Sequence, residues 1–178
     1  MKLIPQKDLP TKEQIIATPT KDLIKLFKIF VDMAILCTKE DGIGLSAVQI
    51  GVPWKFFIIR AHKNLGKFDR YGKDKVSCFI NTEYEPVEDE KFTSLEGCLS
   101  IRHTNGGLRY YEVDRYKKVR IIGHEFIARG GAASADPRLE ILPYDKIVEG
   151  QLGIVFQHEI DHQRSILISD IGKEVFLY

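Results

Sequence analysis

Two histidines four residues apart, His158 and His162, with Glu159 beside the first, constrain this chain more than any other feature. Residues at i and i+4 share one face of an α-helix, so a helix here lets both imidazoles reach one divalent cation. Glu159 then stands next to the cation, placed to handle the proton of a water bound there. A tetrahedral catalytic site takes three protein ligands and keeps its fourth position open. The longer downstream histidine motif is broken, because Ser165 and Ile168 occupy its glycine and histidine positions. Asp170 and Glu174 are the only acidic residues after His162, so the third ligand is expected upstream.

The best upstream candidate is Cys98, within Leu95-Glu96-Gly97-Cys98-Leu99-Ser100. A thiolate binds a borderline-soft metal strongly, and a neighbouring cation keeps it deprotonated. His103 and His124 are rivals, but neither has a ligand-like partner nearby in sequence, and both read as surface or strand histidines. The bland alternatives are two solvated histidines on a helix face and, for Cys98, a small buried hydrophobe.

Length and charge narrow the class. At 178 residues a single domain covering 1–178, with a sizeable core, is the expectation. A net charge of +1 leaves no footprint for nucleic acid or an acidic membrane surface. The most apolar run, residues 23–37, is interrupted by Lys25, Lys28 and Asp32, which argues against a membrane span, and residues 1–10 lack the apolar core of a signal peptide. Three cysteines do not make a disulfide framework; Cys37 and Cys78 read as buried thiols, and a reducing cytoplasm is expected.

The spacing predicts a helix over 20–38, with Thr20 a candidate N-cap, and then a glycine-broken loop at Gly42, Gly44 and Gly51. Residues 54–60, 76–80, 108–113 and 118–127 read as strands, rich in aromatic and β-branched side chains. Residues 66–75 read as a polar connection and 128–137 as a mobile surface loop. The metal helix spans 150–163, and the tail is too short for another long element. The fold class is α+β: antiparallel sheets packed around a central C-terminal metal-binding helix, with an N-terminal helix. Gly42 to Ala47 loosely fits a dinucleotide fingerprint, but a helix precedes it where a strand is required.

Three segments together resemble the peptide deformylase family: Gly42-Ile43-Gly44-Leu45-Ser46-Ala47-Val48-Gln49, Glu96-Gly97-Cys98-Leu99-Ser100, and Gln157-His158-Glu159-Ile160-Asp161-His162. They stand in the family's order, and the likeness runs from about Gly42 to Asp170. The resemblance implies an amide hydrolase that removes the formyl group from N-formylmethionyl peptides and nascent chains. It implies Cys98, His158 and His162 as ligands, Glu159 as base, and the Gln49 amide with the Leu99 backbone N–H as oxyanion donors. It also implies substrate contacts at Ile43, Gly44, Gly97, Ile154 and Val155, the apolar ones lining the methionine pocket. One divalent ion is implied, Fe²⁺ natively with Zn²⁺, Ni²⁺ or Co²⁺ as substitutes, although the ligand set alone suggests zinc. Arg115 is expected to pair with Glu96 and brace the cysteine segment, and Asp161 to accept from a ligand imidazole or from Arg115.

The chain departs from the family in places. Ser46 stands where alanine is usual. Ile101-Arg102 replaces an apolar-proline pair, and the loop from His103 to Arg109 is altered, which bears on the peptide beyond methionine. Gln163-Arg164-Ser165 replaces a run that ends in glycine. The tail lacks the basic helix some members use at the ribosome exit, so docking by that route is not expected. Two rivals remain at this level: a protease cutting internal peptide bonds, and a protein with a closed structural metal site.

Overall fold

A computed structural model describes residues 1–60, 76–129 and 138–176 of the protein. Strands β1 (Gly44–Ser46), β2 (Phe56–Arg60), β3 (Val76–Pro86), β6 (Lys118–Arg129) and β7 (Arg138–Glu149) form one sheet, in that order. Strands β4 (Lys91–Arg102), β5 (Leu108–Tyr116) and β8 (Lys173–Val175) form a second. Neighbouring strands run antiparallel throughout. Among the described residues three α-helices complete the order: α1 (Leu23–Lys39), α2 (Gly150–Gln163) and the short α3 (Ile168–Ile171). The expected α+β architecture is what the chain adopts.

The large sheet is covered on both faces, and strand alternation sorts the side chains between them. Phe56, Ile58, Cys78 and Ile80 face α1, where Leu26, Met33, Leu36 and Cys37 meet them. Phe57, Ile59 and Phe79 point the other way, against Val155, Phe156 and Ile160 of α2. All five residues of β2 are therefore buried, which explains an apolar run without polar alternation. Phe156 anchors α2: its ring lies edge-on to Phe79 at 4.7 Å and to Phe57 at 5.8 Å. Truncating a side chain buried to this degree costs about 3–5 kcal/mol. Contacts run from α2 to every strand of the large sheet and to β5 of the small one. The helix that carries His158 and His162 is central.

Several expectations need adjustment. The N-cap of α1 is Asp22, not Thr20: its Oδ1 accepts the Lys25 N–H at 2.9 Å, so the helix begins at Leu23. The presumed loop after α1 holds β1 and a 3₁₀ turn, Ala47–Ile50. The third strand runs on to Pro86, and β4 and β7 carried no strand signal. β7 is an edge strand with only Tyr144 and Val148 buried, so it tolerates Pro143 and alternates poorly. Residues 66–75 lie outside the described residues, as do 130–137 of the expected loop; Ala128 and Arg129 belong to β6. No helix among the described residues is long and apolar enough to cross a membrane.

One irregularity positions the site. The β4–β5 ladder pairs Gly97 with Tyr110 and next pairs Arg102 with Leu108, five steps along β4 against two along β5. Cys98 to Ile101 thus leave the ladder, and this bulge frees Cys98 to turn toward His162 of α2 while Leu99 packs on the α1 side.

Candidate metal centre

One donor atom each from Cys98, His158 and His162 lies within 4.8 Å of the other two. Cys98 Sγ stands 3.4 Å from His162 Nε2, and the two imidazole centroids are 4.9 Å apart. The i, i+4 spacing on α2 and the bulge in β4 bring these groups together. His103 and His124 are both exposed, the first in a turn and the second on β6, and neither joins the cluster.

The two histidines are held from behind. His158 Nδ1 faces Glu96 Oε2 at 2.8 Å, which leaves Nε2 as the nitrogen free to ligate. Glu96 in turn accepts two bonds from Arg115, at 2.7 and 3.0 Å, and Arg115 Nη1 donates to Asp161 Oδ2 at 2.5 Å. Tyr84 Oη donates to the other Asp161 oxygen at 3.1 Å. Burial works against the Glu96 carboxylate, but its bonds to His158 and Arg115 prevail and hold it down at about 2. Arg115 is 2% exposed, so its two acidic partners are what make its charge tolerable there. The expected Arg115–Glu96 pair is present, and Asp161 takes the Arg115 option. That Glu96 also orients His158 was not anticipated, although a residue two before Cys98 in a strand shares its face. Nothing in the sequence singled out Tyr84.

These surroundings fit a cation. Burial works against a charged His158, yet its bonds to Cys98 and Glu96, with the nearby Glu159 charge, push it well above the usual range. Burial, reinforced by the His158 and Arg115 charges, holds His162 well below the usual range. A thiolate with two imidazoles is the donor set of an open three-ligand site. Glu159 is 3% exposed and burial pushes its carboxyl up to about 7, suited to exchanging protons near neutrality. Its Oε2 has no hydrogen-bond partner among the described residues. Its other oxygen lies over Gly44, where a Cβ would come within 2.3 Å of Oε1.

Gln49 lies on the opposite flank, 2% exposed. Its Oε1 accepts the Ser46 N–H at 2.8 Å, and its Nε2 donates toward Cys98 Sγ at 3.5 Å. Leu99 follows Cys98 in the bulge. Ile43 and Val155 share one apolar cluster, whereas Ile154 is partly buried and outside it. A groove of about 830 Å³ is lined by Leu99, Ser100, His162 and the N-terminal segment; Ile43, Gly44, Gly97, Ile154 and Val155 do not line it.

The family model for polypeptide deformylases matches residues 4–128, more than half the chain. The chain belongs to the polypeptide deformylase family. It is 31% identical over 172 residues to a peptide deformylase of Psychrobacter arcticus, covering 96% of this chain and 79% of that one. To the enzyme of Stutzerimonas stutzeri it is 34% identical over 140 residues, covering 78% and 67%. The crystal structure of a peptide deformylase from Legionella pneumophila superposes with a TM-score of 0.64 at 26% identity, covering 96% of this chain and 84% of the other. This deformylase is a metal-dependent hydrolase that removes the formyl group from the N-terminus of nascent polypeptides, with one metal ion implied by the family and the Cys/His/His cluster. Family membership sets aside the internal protease and the closed structural site.

Proposed function

We propose that Cys98, His158 and His162 hold the ion, that Glu159 moves the proton, and that Gln49 and Leu99 stabilise the oxyanion. The observation that carries this reading is the convergence of the three donors beside a buried Glu159 whose Oε2 has no hydrogen-bond partner among the described residues. When bound, the ion supplies Lewis acidity, lowering the pKa of a coordinated water from about 15.7 toward 7. Glu159 takes the proton of the water that attacks the formyl carbon and delivers it to the departing amine nitrogen. The Gln49 Nε2–H and the Leu99 backbone N–H face the charge that develops on the formyl oxygen, and losing one such donor typically costs roughly 3–4 kcal/mol. Ile43, Ile154 and Val155 border the methionine side chain, with Gly44 and Gly97 beside the peptide backbone. The products are formate and a free amino terminus.

In this reading Fe²⁺ is the native ion and Zn²⁺, Ni²⁺ or Co²⁺ replace it, the substrates are N-formylmethionyl peptides, and residues 1–178 act as one catalytic domain. Three free, buried cysteines agree with a reducing cytoplasm. The net charge of +1 gives no basis for nucleic-acid binding.

Formate release from an N-formylmethionyl tripeptide, by protein loaded anaerobically with Fe²⁺, tests the assignment beside Glu159→Ala. Turnover that the substitution abolishes at unchanged metal content is expected. Turnover that survives it overturns Glu159 as the base, and no turnover by metal-replete wild type overturns the whole reading.

A further inference from the structure

We propose that Ser100 is a positioning residue that sets which N–H of Gln49 meets the substrate. The proposal rests on Gln49 being an oxyanion donor. A side-chain amide has one acceptor end and one donor end, and its usefulness as a donor depends on which way it is turned. Here the Ser46 backbone N–H decides the first half: it can only donate, so Gln49 Oε1 must face it, at 2.8 Å. The NH₂ end is then directed at β4, with two hydrogens to place. One goes to Ser100 Oγ at 3.2 Å. The second is directed toward the metal donors, with Nε2 3.5 Å from Cys98 Sγ.

Cysteine sulfur is a weak acceptor and the contact is long, at 3.5 Å, so this second hydrogen is cheaply redirected to a developing oxyanion. The hydrogen on Ser100 is not, because the amide plane is fixed at both ends. Without the serine hydroxyl, Gln49 is held only at Oε1 and its amide plane is free to swing about that bond. A donor that has to be aimed during the reaction loses the advantage of preorganisation. Ser100 is 8% exposed and leaves the β4–β5 ladder with Cys98, so the bulge that presents the ligand also presents this hydroxyl. Ser100 touches no reacting atom in this scheme. Its effect passes through Gln49.

The test is a double-mutant cycle on the metal-loaded enzyme: wild type, Ser100→Ala, Gln49→Ala and the double variant, with kcat and KM for an N-formylmethionyl tripeptide and metal content for each. Ser100→Ala is expected to lower kcat about 10-fold with KM and metal content unchanged, and Ser100→Thr to restore most of it. In the Gln49→Ala background, removing the hydroxyl is expected to change kcat by less than 2-fold. Proton exchange of the Gln49 side-chain amide, followed by NMR, is expected to quicken in Ser100→Ala and not in Ser100→Thr. If Ser100→Ala keeps full kcat while Gln49→Ala loses it, the positioning role is wrong and Gln49 stands. Equal penalties for Ser100→Ala in both backgrounds also overturn the role. Full activity in Gln49→Ala removes the oxyanion reading and this proposal with it.

Discussion

Glu159 and Gly44 are packed so closely that the glycine is part of how the carboxylate is aimed. Gly44 pairs with Ile59 in β1, so its backbone is fixed by the sheet, and any side chain added there must displace Glu159. A Cβ would lie 2.3 Å from Oε1 and 2.8 Å from Cδ, well inside van der Waals contact. With Glu159 as the proposed base, Gly44→Ala is expected to lower kcat about 100-fold, since displacing a catalytic group by about an ångström costs that order. Metal content should be unchanged, because none of the three donors is touched. Retention of more than half the wild-type kcat would show that the carboxylate has room the packing denies it.

Arg115 gives a stability prediction. It is the only cation within hydrogen-bonding reach of both Glu96 and Asp161 among the described residues, and all three are buried. Arg115→Met leaves buried Asp161 without a counter-charge and Glu96 with His158 alone, and removing one member of such a cluster costs about 3–5 kcal/mol. Urea unfolding should show that loss. Tyr84→Phe removes only a 3.1 Å bond to Asp161 and should cost about 1 kcal/mol.

The alkaline limb of stability has identifiable causes. Burial pushes the Cys37 thiol up to about 12 and the Cys78 thiol well above its ordinary range; it also pushes the Tyr84 and Tyr144 hydroxyls up to about 12. Each is an acid kept neutral by the fold, so its contribution is complete below its unfolded pKa and is lost as pH rises toward the folded value. Unfolded thiols ionise near about 8.5 and tyrosines near about 10. Through these four groups Tm should fall progressively above about pH 9. Cys37→Ala should start lower yet fall less steeply; an unchanged slope would remove Cys37 from the account.

Ser165 follows α2 with φ of 58°, a left-handed conformation, at the position where the family's run ends in glycine. A side chain there costs roughly 1–2 kcal/mol. Its hydroxyl returns little, donating to Pro10 O at 3.3 Å in an exposed setting. Ser165→Gly is expected to raise stability by about 0.5–1 kcal/mol after the entropy of glycine is counted, read as a higher Tm.

How far the sequence reached depended on how local each signal was. The spacing of His158 and His162 is a property of one helix, and it led to the metal cluster without tertiary information. The aromatic and β-branched run at 54–60 marked β2 as a strand, but its burial on both faces is seen only once α1 and α2 cover the sheet. By contrast, β4 mixes Ser94, Glu96, Gly97 and Ser100 among its apolar residues because several of them serve the site, and this mixture hides the strand. Tyr84 lies 77 positions from its partner Asp161, and no periodicity connects them. Ser100 was quoted as part of a motif and given no task, since its task appears only when the 3₁₀ turn brings Gln49 across to it.

The metal donors come from distant stretches of chain: Cys98 and His162 are 64 positions apart, and the histidines belong to a helix made after every strand of the large sheet. During synthesis, then, the strands emerge first and wait for their helix. A copy of this enzyme still being translated has no working centre until residue 162 has emerged and folded back between the sheets.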